Sequence, residues 1–184
     1  SGTLEPTNEG YAIAKIAVSR LCSYSNSQYG TDFKTLIPCN LYGKYDTFDL
    51  EKAHLIPGVI HRMHLHKNSR KGALTIWGDG SARREFMYAS DLANFICFAL
   101  SDYKSVPEEI NIGLGHDFSV REYYEMIADE IGFNPEFEFD LTKPTGMKQK
   151  LVDITKQKEL GWNPPTDVRE GISKTYRYFL DGYA

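Results

Sequence analysis

The stretch YAIAKIAVSRLCSYSNSQYG (residues 11–30), followed closely by TLIP (residues 35–38), decides the fold class of this chain. In the first part, apolar residues recur every three to four positions as far as Gly30. This pattern predicts a helix over residues 11–29 that ends at the glycine. The second part is a short apolar run ending in proline, which predicts a buried strand. A helix that leads directly into a buried strand is typical of an α/β protein.

The rest of the chain continues this alternation, which favours mostly parallel pairing of the strands. Ser119 and Glu122 form a capping box, Ser90 and Asp167 are expected to cap other helices, and Gly78-Asp79-Gly80 provides a tight turn. The further predicted helices cover residues 54–67, 90–100, 120–132 and 168–181. The further predicted strands cover residues 73–77, 85–88, 109–112 and 136–140, and residues 39–53 and 143–150 are predicted as loops.

Composition places the chain among ordinary folded domains. Its 184 residues include 21 Lys and Arg against 25 Asp and Glu, a net charge of −4, and 41% hydrophobic residues, which excludes a disordered chain. The longest apolar run, residues 92–100, is far shorter than the about 20 residues that span a bilayer, so no membrane partner is expected. Because the chain opens on Ser1 rather than Met, we expect it to be part of a longer protein.

The three cysteines indicate a reducing environment. Cys22, Cys39 and Cys97 are odd in number, widely spaced and set among apolar or helical residues. We therefore expect buried structural thiols rather than disulfides, and a cytoplasmic location.

A basic segment spans residues 52–78, which carry no acidic residue. Its five cations are Lys52, Arg62, Lys67, Arg70 and Lys71. The lack of aromatic residues before Trp77 and the acidic net charge argue against a nucleic-acid partner and favour a small phosphorylated ligand. For Lys67, Arg70 and Lys71 a solvated helix end explains the charge equally well.

Two histidines of that segment, His61 and His64, share a helix face, but His66 points elsewhere and no cysteine or carboxylate lies nearby in the sequence. This pattern predicts an ordinary surface helix and no metal site.

Tyr11 and Lys15 are four residues apart, so they lie on one face of the first helix. An ammonium near a phenol favours the phenolate, which makes the tyrosine a usable proton donor or acceptor. The spacing alone leaves open a packing tyrosine with a lysine beside it.

Several separated motifs resemble the extended short-chain dehydrogenase/reductase superfamily. They are Tyr11-Ala12-Ile13-Ala14-Lys15, PCNLYG (residues 38–43), WGDGSARREF (residues 77–86) and Asp91-Leu92-Ala93. Within it, DTF (residues 46–48), HLIP (residues 54–57) and Arg62 resemble the GDP-L-fucose synthase subgroup, whose members are NADPH-dependent GDP-4-keto-6-deoxy-D-mannose 3,5-epimerase/4-reductases. The resemblance covers essentially the whole chain.

The resemblance implies an α/β fold made of the C-terminal part of a Rossmann-like NAD(P)-binding domain and a smaller α/β domain for the sugar nucleotide. Residues 1–53 are expected in the first, and residues 54–184 mainly in the second, with residues 85–112 returning to the Rossmann sheet. In the family, a glycine-rich phosphate turn and a strand with catalytic Ser and Cys residues precede the tyrosine. This sequence contains no such turn. We therefore expect a C-terminal portion that is inactive alone, from a full-length homodimer.

The resemblance also assigns roles to residues. Tyr11 would protonate the C4 oxygen of the sugar, Lys15 would assist it and bind the nicotinamide ribose, and His54 would act as the acid in epimerisation. A lone His54 at a helix start could equally be a capping or packing residue. The expected NADP(H) contacts are Tyr11, Lys15, Pro38, Cys39, Asn40, Leu41 and His54. The expected GDP-sugar contacts are Arg62, Trp77 and Arg84, with Lys150 and Asp153 near the nucleotide.

Two alternatives remain open at this point. One is a different nucleotide-sugar epimerase or 4,6-dehydratase of the same superfamily, which His54 and the DTF motif disfavour. The other is a non-catalytic nucleotide-sugar-binding module, which the lack of a glycine-rich turn supports.

Overall fold

The computed structural model describes residues 4–69, 73–143 and 146–184. The helices in these residues are α1 (Glu9–Tyr29), α2 (Leu55–Ser69), α3 (Ala89–Ser101), α4 (Val120–Ile131), α5 (Thr155–Glu159) and α6 (Val168–Gly182). The strands are β1 (Thr35–Pro38), β2 (Asn40–Tyr42), β3 (Leu74–Trp77), β4 (Arg83–Arg84), β5 (Phe86–Tyr88), β6 (Glu109–Ile112), β7 (Phe118–Ser119), β8 (Phe137–Asp140) and β9 (Gln149–Lys150). The predicted α/β alternation is confirmed, and β2, β4, β7, β9 and α5 are additions to it.

The strands pair mostly in parallel, as predicted. Parallel pairs join β1 to β6, β2 to β5, β3 to β8 and β4 to β9, whereas β4 and β7 pair antiparallel. Gly78 and Gly80 have φ angles of 70° and 74°, so the turn after β3 uses glycine as expected. The strands on either side of this turn, β3 and β4, do not pair with each other: β3 pairs with β8, and β4 pairs with β7 and β9.

Strand β5 separates two apolar cores. Phe86 and Tyr88 point into a core formed with α2, α4 and α6, whereas Met87 points into a second core with α3 and β6. Successive side chains of a strand face opposite sides, so three residues serve both cores. The division into residues 1–53 and 54–184 stays a prediction.

The helix boundary signals are mostly confirmed. The Ser119 hydroxyl accepts from the Glu122 N–H while the Glu122 carboxylate accepts from the Ser119 N–H, which completes the capping box. The Asp167 carboxylate accepts from the Glu170 N–H at 2.8 Å. The prediction that Ser90 caps a helix is wrong, because β5 leads straight into α3 and Tyr88 occupies the cap position.

The start of the chain is more exposed than predicted. No residue of α1 is buried, and Leu21 is 64% exposed. The strand predicted at residues 35–38 is present with those bounds, but the prediction that it is buried is wrong, since Ile37 is 42% exposed. The physical reason is that successive side chains of a strand face opposite sides: Leu36 packs against the second core, whereas Ile37 faces away from it.

The cysteines are free, but they differ in exposure. Cys39 is buried, Cys22 is half-buried and Cys97 is exposed. The expectation of three buried thiols is therefore wrong for Cys97. It lies on the outer face of α3, because Phe95 and Ala99 on either side of it turn toward the core.

Helix α6 approaches β2 closely at one glycine. The Tyr42 hydroxyl donates to the Val168 carbonyl at 3.0 Å, and a Cβ atom on Gly171 would overlap the same Tyr42 oxygen. The contact between α6 and β2 therefore depends on the missing side chain.

Within the described ranges, no helix combines the length and the apolar character needed to cross a membrane.

Candidate functional site

Tyr11 and Lys15 lie together on an exposed face of α1. The Lys15 Nζ atom is 5.4 Å from the centre of the Tyr11 ring, and the Tyr11 side chain is 61% exposed. A lysine over a ring at this distance makes a cation–π contact and places a positive charge beside the phenol. The structure therefore brings these two residues together as their spacing predicts.

The polypeptide after β1 turns past Asn40, whose side chain joins two other segments. Its Nδ2 atom donates to the Glu85 carbonyl at 2.9 Å, and its Oδ1 atom accepts from Lys150 Nζ at 3.4 Å. The preceding Cys39 is buried, and burial together with the charge of Glu85 raises the pKa of its thiol to about 12. Cys39 therefore stays protonated near neutral pH and is a packing group rather than a nucleophile.

Arg84 and Lys150 are two cationic candidates near Asn40. They are directly paired across the parallel strands β4 and β9. The Arg84 Nη1 atom donates to the carbonyls of Arg83 and Met147 at 2.7 and 2.6 Å, which fixes its guanidinium, and burial lowers its pKa. Because both side chains are cationic and start from paired positions, they can both offer positive charge to a bound anion.

Glu85 holds together the segments next to Arg84 and Lys150, and the sequence motifs do not single it out. Its carboxylate is fully buried and accepts three backbone N–H groups, from Leu114 and Gly115 at 2.7 and 2.8 Å and from Val152 at 2.9 Å. A side chain on Gly113 would overlap this carboxylate. Glu85 therefore joins the loop after β6 to the segment after β9. The signal available in the sequence was an acidic residue within an otherwise apolar strand pattern.

Arg62 lies on α2 and faces α4. Its Nη2 atom donates to the Tyr124 hydroxyl at 2.9 Å, and its guanidinium carbon is 5.9 Å from the centre of the Tyr124 ring. Tyr124 was not singled out in the sequence, because an interior helix tyrosine gives no functional signal by itself.

Trp77 ends β3 and is 60% exposed, with Lys143 Nζ 5.5 Å from the centre of its ring. It offers an accessible aromatic face.

Within the described residues, neither the His54 side chain nor the Asp153 carboxylate forms a hydrogen bond to another candidate site residue. His54 is exposed just before α2, and no hydrogen bond or ring contact within the described residues joins it to Tyr11. The Asp153 carboxylate accepts from the N–H and the hydroxyl of Thr155 at 2.9 and 2.6 Å, and these bonds lower its pKa. The carboxylate thus stabilises the start of α5.

The remaining polar residues of α2 have structural contacts. His61 Nδ1 lies 2.6 Å from the Phe48 carbonyl, and His64 Nδ1 lies 3.1 Å from the Tyr176 hydroxyl. Both histidines are half-buried, so the expectation of an ordinary surface helix is wrong; the rings pack against Phe179. Residues 4–69, 73–143 and 146–184 contain no group of three or more His, Cys, Asp or Glu side chains that could hold a metal ion.

Lys67 also has a structural partner, since its Nζ atom donates to the Ile131 carbonyl at 2.6 Å. Lys67 is exposed in the last turn of α2, which agrees with the interpretation as a solvated helix end, and its ammonium also satisfies a carbonyl at the end of α4. Arg70 and Lys71 lie outside the described residues.

Comparison with known proteins gives matches along the whole chain. The NAD dependent epimerase/dehydratase family matches residues 1–113. GDP-L-colitose synthase of Yersinia pseudotuberculosis is 49% identical over 98% of this chain and 59% of its own length. GDP-L-fucose synthase of Azorhizobium caulinodans is 45% identical over 98% of this chain and 58% of its own length. The chain therefore spans a little under three fifths of these curated relatives.

Solved structures show the same fold. The NADP-bound GDP-mannoheptose C4 reductase from Campylobacter jejuni superimposes with a TM-score of 0.84 at 29% identity, covering 97% of this chain and 62% of that one. The NADP-bound GDP-L-fucose synthetase from Naegleria fowleri gives a TM-score of 0.81 at 26% identity, covering 96% and 57%.

Proposed function

The chain belongs to the NAD dependent epimerase/dehydratase family, and on this premise we propose that it carries the GDP-sugar site and the Tyr/Lys pair of an NADP-dependent epimerase/reductase. The reaction proposed is 3,5-epimerisation and 4-reduction of GDP-4-keto-6-deoxy-D-mannose to GDP-L-fucose. The observation that carries the proposal is the pairing of Arg84 with Lys150 across β4 and β9. A guanidinium and an ammonium that start from paired positions on neighbouring strands suit the diphosphate of a nucleotide sugar.

Support for the sugar-nucleotide side comes from the surrounding groups. Asn40 links Lys150 to the backbone beside Arg84, and Glu85 fixes the two loops that flank this pair. The exposed Trp77 ring can pack against a flat ligand group, and Arg62 is proposed as a further contact of the diphosphate. The roles of Lys150 and Asp153 near the nucleotide are proposals of the same kind.

The residues present fit the nicotinamide end of NADP(H). Tyr11 and Lys15 lie on an open face of α1, Pro38 ends β1, and Cys39, Asn40 and Leu41 lead from it into β2. The carboxyl ends of parallel strands are where α/β proteins bind such ligands. When bound, NADPH supplies the hydride for reduction at C4. The 184 residues contain no glycine-rich dinucleotide turn, so this chain offers no such cradle for the pyrophosphate.

The chain's own residues are proposed to handle the protons. The Tyr11 hydroxyl delivers a proton to the C4 oxygen, and the Lys15 ammonium stabilises the negative charge left on the phenol. His54 exchanges protons at the carbons next to the ketone and also contacts the cofactor, for which its exposed position before α2 leaves it accessible.

The identity of the sugar in the substrate is a separate part of the proposal. The 49% identity to a GDP-L-colitose synthase favours a second candidate, in which the substrate is another GDP-4-keto sugar. A different nucleotide-sugar epimerase or dehydratase, or a non-catalytic nucleotide-sugar-binding module, would use the same anion site with other groups around it. A cytoplasmic location is supported by three free cysteines. A homodimer at full length rests on the family resemblance alone.

Titration calorimetry of the 184-residue chain tests the binding part of the proposal. We expect GDP to bind, UDP to bind more weakly, and Arg84→Ala or Lys150→Ala to lower the affinity for GDP by more than 10-fold. Arg177→Ala, which removes the same charge from an exposed position on α6, is the matched control and keeps the affinity. Equal losses from all three variants would show diffuse charge instead of a site.

The catalytic roles are tested in the protein at the full length of its relatives. Tyr11→Phe should block reduction while leaving exchange of the sugar's α-protons with solvent deuterium. His54→Gln should slow that exchange by about 10²- to 10⁴-fold. If Tyr11→Phe abolishes deuterium uptake and His54→Gln leaves it intact, the two assignments are wrong.

A further inference from the structure

Arg62 is held on one side by a single tyrosine. Its Nη2 atom donates to the Tyr124 hydroxyl at 2.9 Å, and the guanidinium lies against the Tyr124 ring at 5.9 Å. The Arg62 Nε atom is buried and has no hydrogen-bond partner in the part of the chain that the structure describes. Within the described residues, the hydrogen bond to the Tyr124 hydroxyl therefore sets the orientation of the Arg62 guanidinium.

Tyr124 is itself rigidly placed. Its side chain is 2% exposed, and its ring meets the edge of Phe137 on β8 at 5.8 Å and 87°. It lies on α4, whose first turn is fixed by the capping box of Ser119 and Glu122. A buried ring on a capped helix has little freedom, so its hydroxyl is a fixed acceptor for Arg62.

We propose that Tyr124 is a positioning residue that orients Arg62 toward the diphosphate of the GDP-sugar, an inference that rests on the function proposed above. An arginine on a flexible side chain loses rotamer freedom when it binds a ligand. Holding the guanidinium in place before the ligand arrives removes part of that cost and leaves the planar fork directed at the phosphates. Tyr124 acts through Arg62 and does not itself touch the ligand.

The hydroxyl group separates this role from plain packing. Tyr124→Phe keeps the buried ring and its contact with Phe137 but removes the acceptor for Arg62. Tyr176→Phe is a matched control, since Tyr176 is also buried and its hydroxyl also meets a side chain of α2, His64, at 3.1 Å. Both variants remove one buried tyrosine hydroxyl from an α2 interface, but only one of them is next to Arg62.

The experiment is a double-mutant cycle on GDP affinity, measured by titration calorimetry with the 184-residue chain, and thermal unfolding confirms that each variant is folded. We expect Tyr124→Phe to weaken GDP binding about 3- to 10-fold, the range of one lost hydrogen bond. In the Arg62→Ala background the same change should have no further effect, because its target is gone. Tyr176→Phe should leave the affinity for GDP unchanged.

The outcomes are distinct. If wild-type binds GDP and Tyr124→Phe either leaves the affinity unchanged or lowers it equally with and without Arg62, the positioning role is overturned and the proposed function stands. An equal loss in Tyr176→Phe would likewise show a general packing effect and overturn the positioning role. If wild-type chain binds no GDP, the proposed function fails and the positioning role fails with it.

Discussion

Arg84 and Lys150 lie directly opposite each other across two parallel strands, at the point where Asn40 reaches both β9 and the backbone beside Arg84. Side chains at paired positions of a ladder start on the same face, so both cationic side chains belong to one surface of the protein. This surface is therefore a candidate for binding an anionic group.

Lys150→Ala is expected to separate binding from stability. Without ligand, the variant should be nearly as stable as wild-type, because the exposed Lys150 makes one long hydrogen bond, 3.4 Å to Asn40 Oδ1. GDP at about 100 times its Kd should raise the free energy of unfolding of wild-type by about 2.7 kcal/mol, and the same concentration should add much less to the variant. Urea unfolding with and without GDP measures both effects. A marked loss of stability without ligand would show that Lys150 has a structural role instead.

Glu85→Gln is expected to destabilise the fold by about 1.5–3 kcal/mol, the range for hydrogen bonds to a charged group. The carboxylate accepts three backbone N–H groups, whereas an amide would direct donor hydrogens at one or more of them. Urea unfolding measures the change. Glu125→Gln, which removes an exposed carboxylate paired with Arg121, is the control and should cost less than about 1 kcal/mol. Similar values for both variants would refute the role of Glu85.

Lys67→Ala is expected to lower stability without affecting the ligand site. Its ammonium donates to the Ile131 carbonyl at the end of α4, and a contact of this kind contributes about 0.3–1 kcal/mol. The midpoint of urea unfolding should fall accordingly, while calorimetry should give an unchanged affinity for GDP. A weaker affinity would place Lys67 in the anion site instead.

The stability of the fold is expected to decrease on the acid side because of His64. Burial, and then the charges of Lys67 and His61, lower the pKa of His64 from its usual 6.5. The unfolded chain therefore binds the proton more readily, so the contribution of His64 is present above about pH 6.5 and is lost as the pH falls toward the lower pKa of the folded state. Thermal unfolding between pH 5 and pH 8 should show a shallower acid decline in His64→Gln than in wild-type. Identical profiles would mean that other groups cause the decline.

Local signals predicted the helices well. The box at Ser119 and Glu122 and the stop at Gly30 involve residues within four positions of each other, so the sequence carries the whole interaction. Short strands of two or three residues, such as β2 and β9, have too few residues to show a period, and they form because a partner strand is present. Pairing of β3 with β8 depends on contacts between distant segments, which no local pattern encodes.

The candidate site also combines contacts that the sequence pattern predicts with contacts that it does not. Tyr11 and Lys15 follow from helical spacing, and the structure places them together. Contacts of Arg62 with Tyr124, and of Glu85 with the backbone of Leu114 and Val152, join residues far apart in the chain, so they become visible only once the tertiary fold is known.

The close approach of Gly171 to Tyr42 has a consequence for how this protein can vary. A methyl group at residue 171 would need the space that the Tyr42 hydroxyl occupies, and losing that hydroxyl would leave the Val168 carbonyl without this donor. Residue 171 therefore cannot gain a side chain while Tyr42 keeps its place, unless the last helix moves. Over evolution, or in a designed library, the two residues should therefore be inherited as one unit, and a larger side chain at 171 should appear only together with a smaller one at 42.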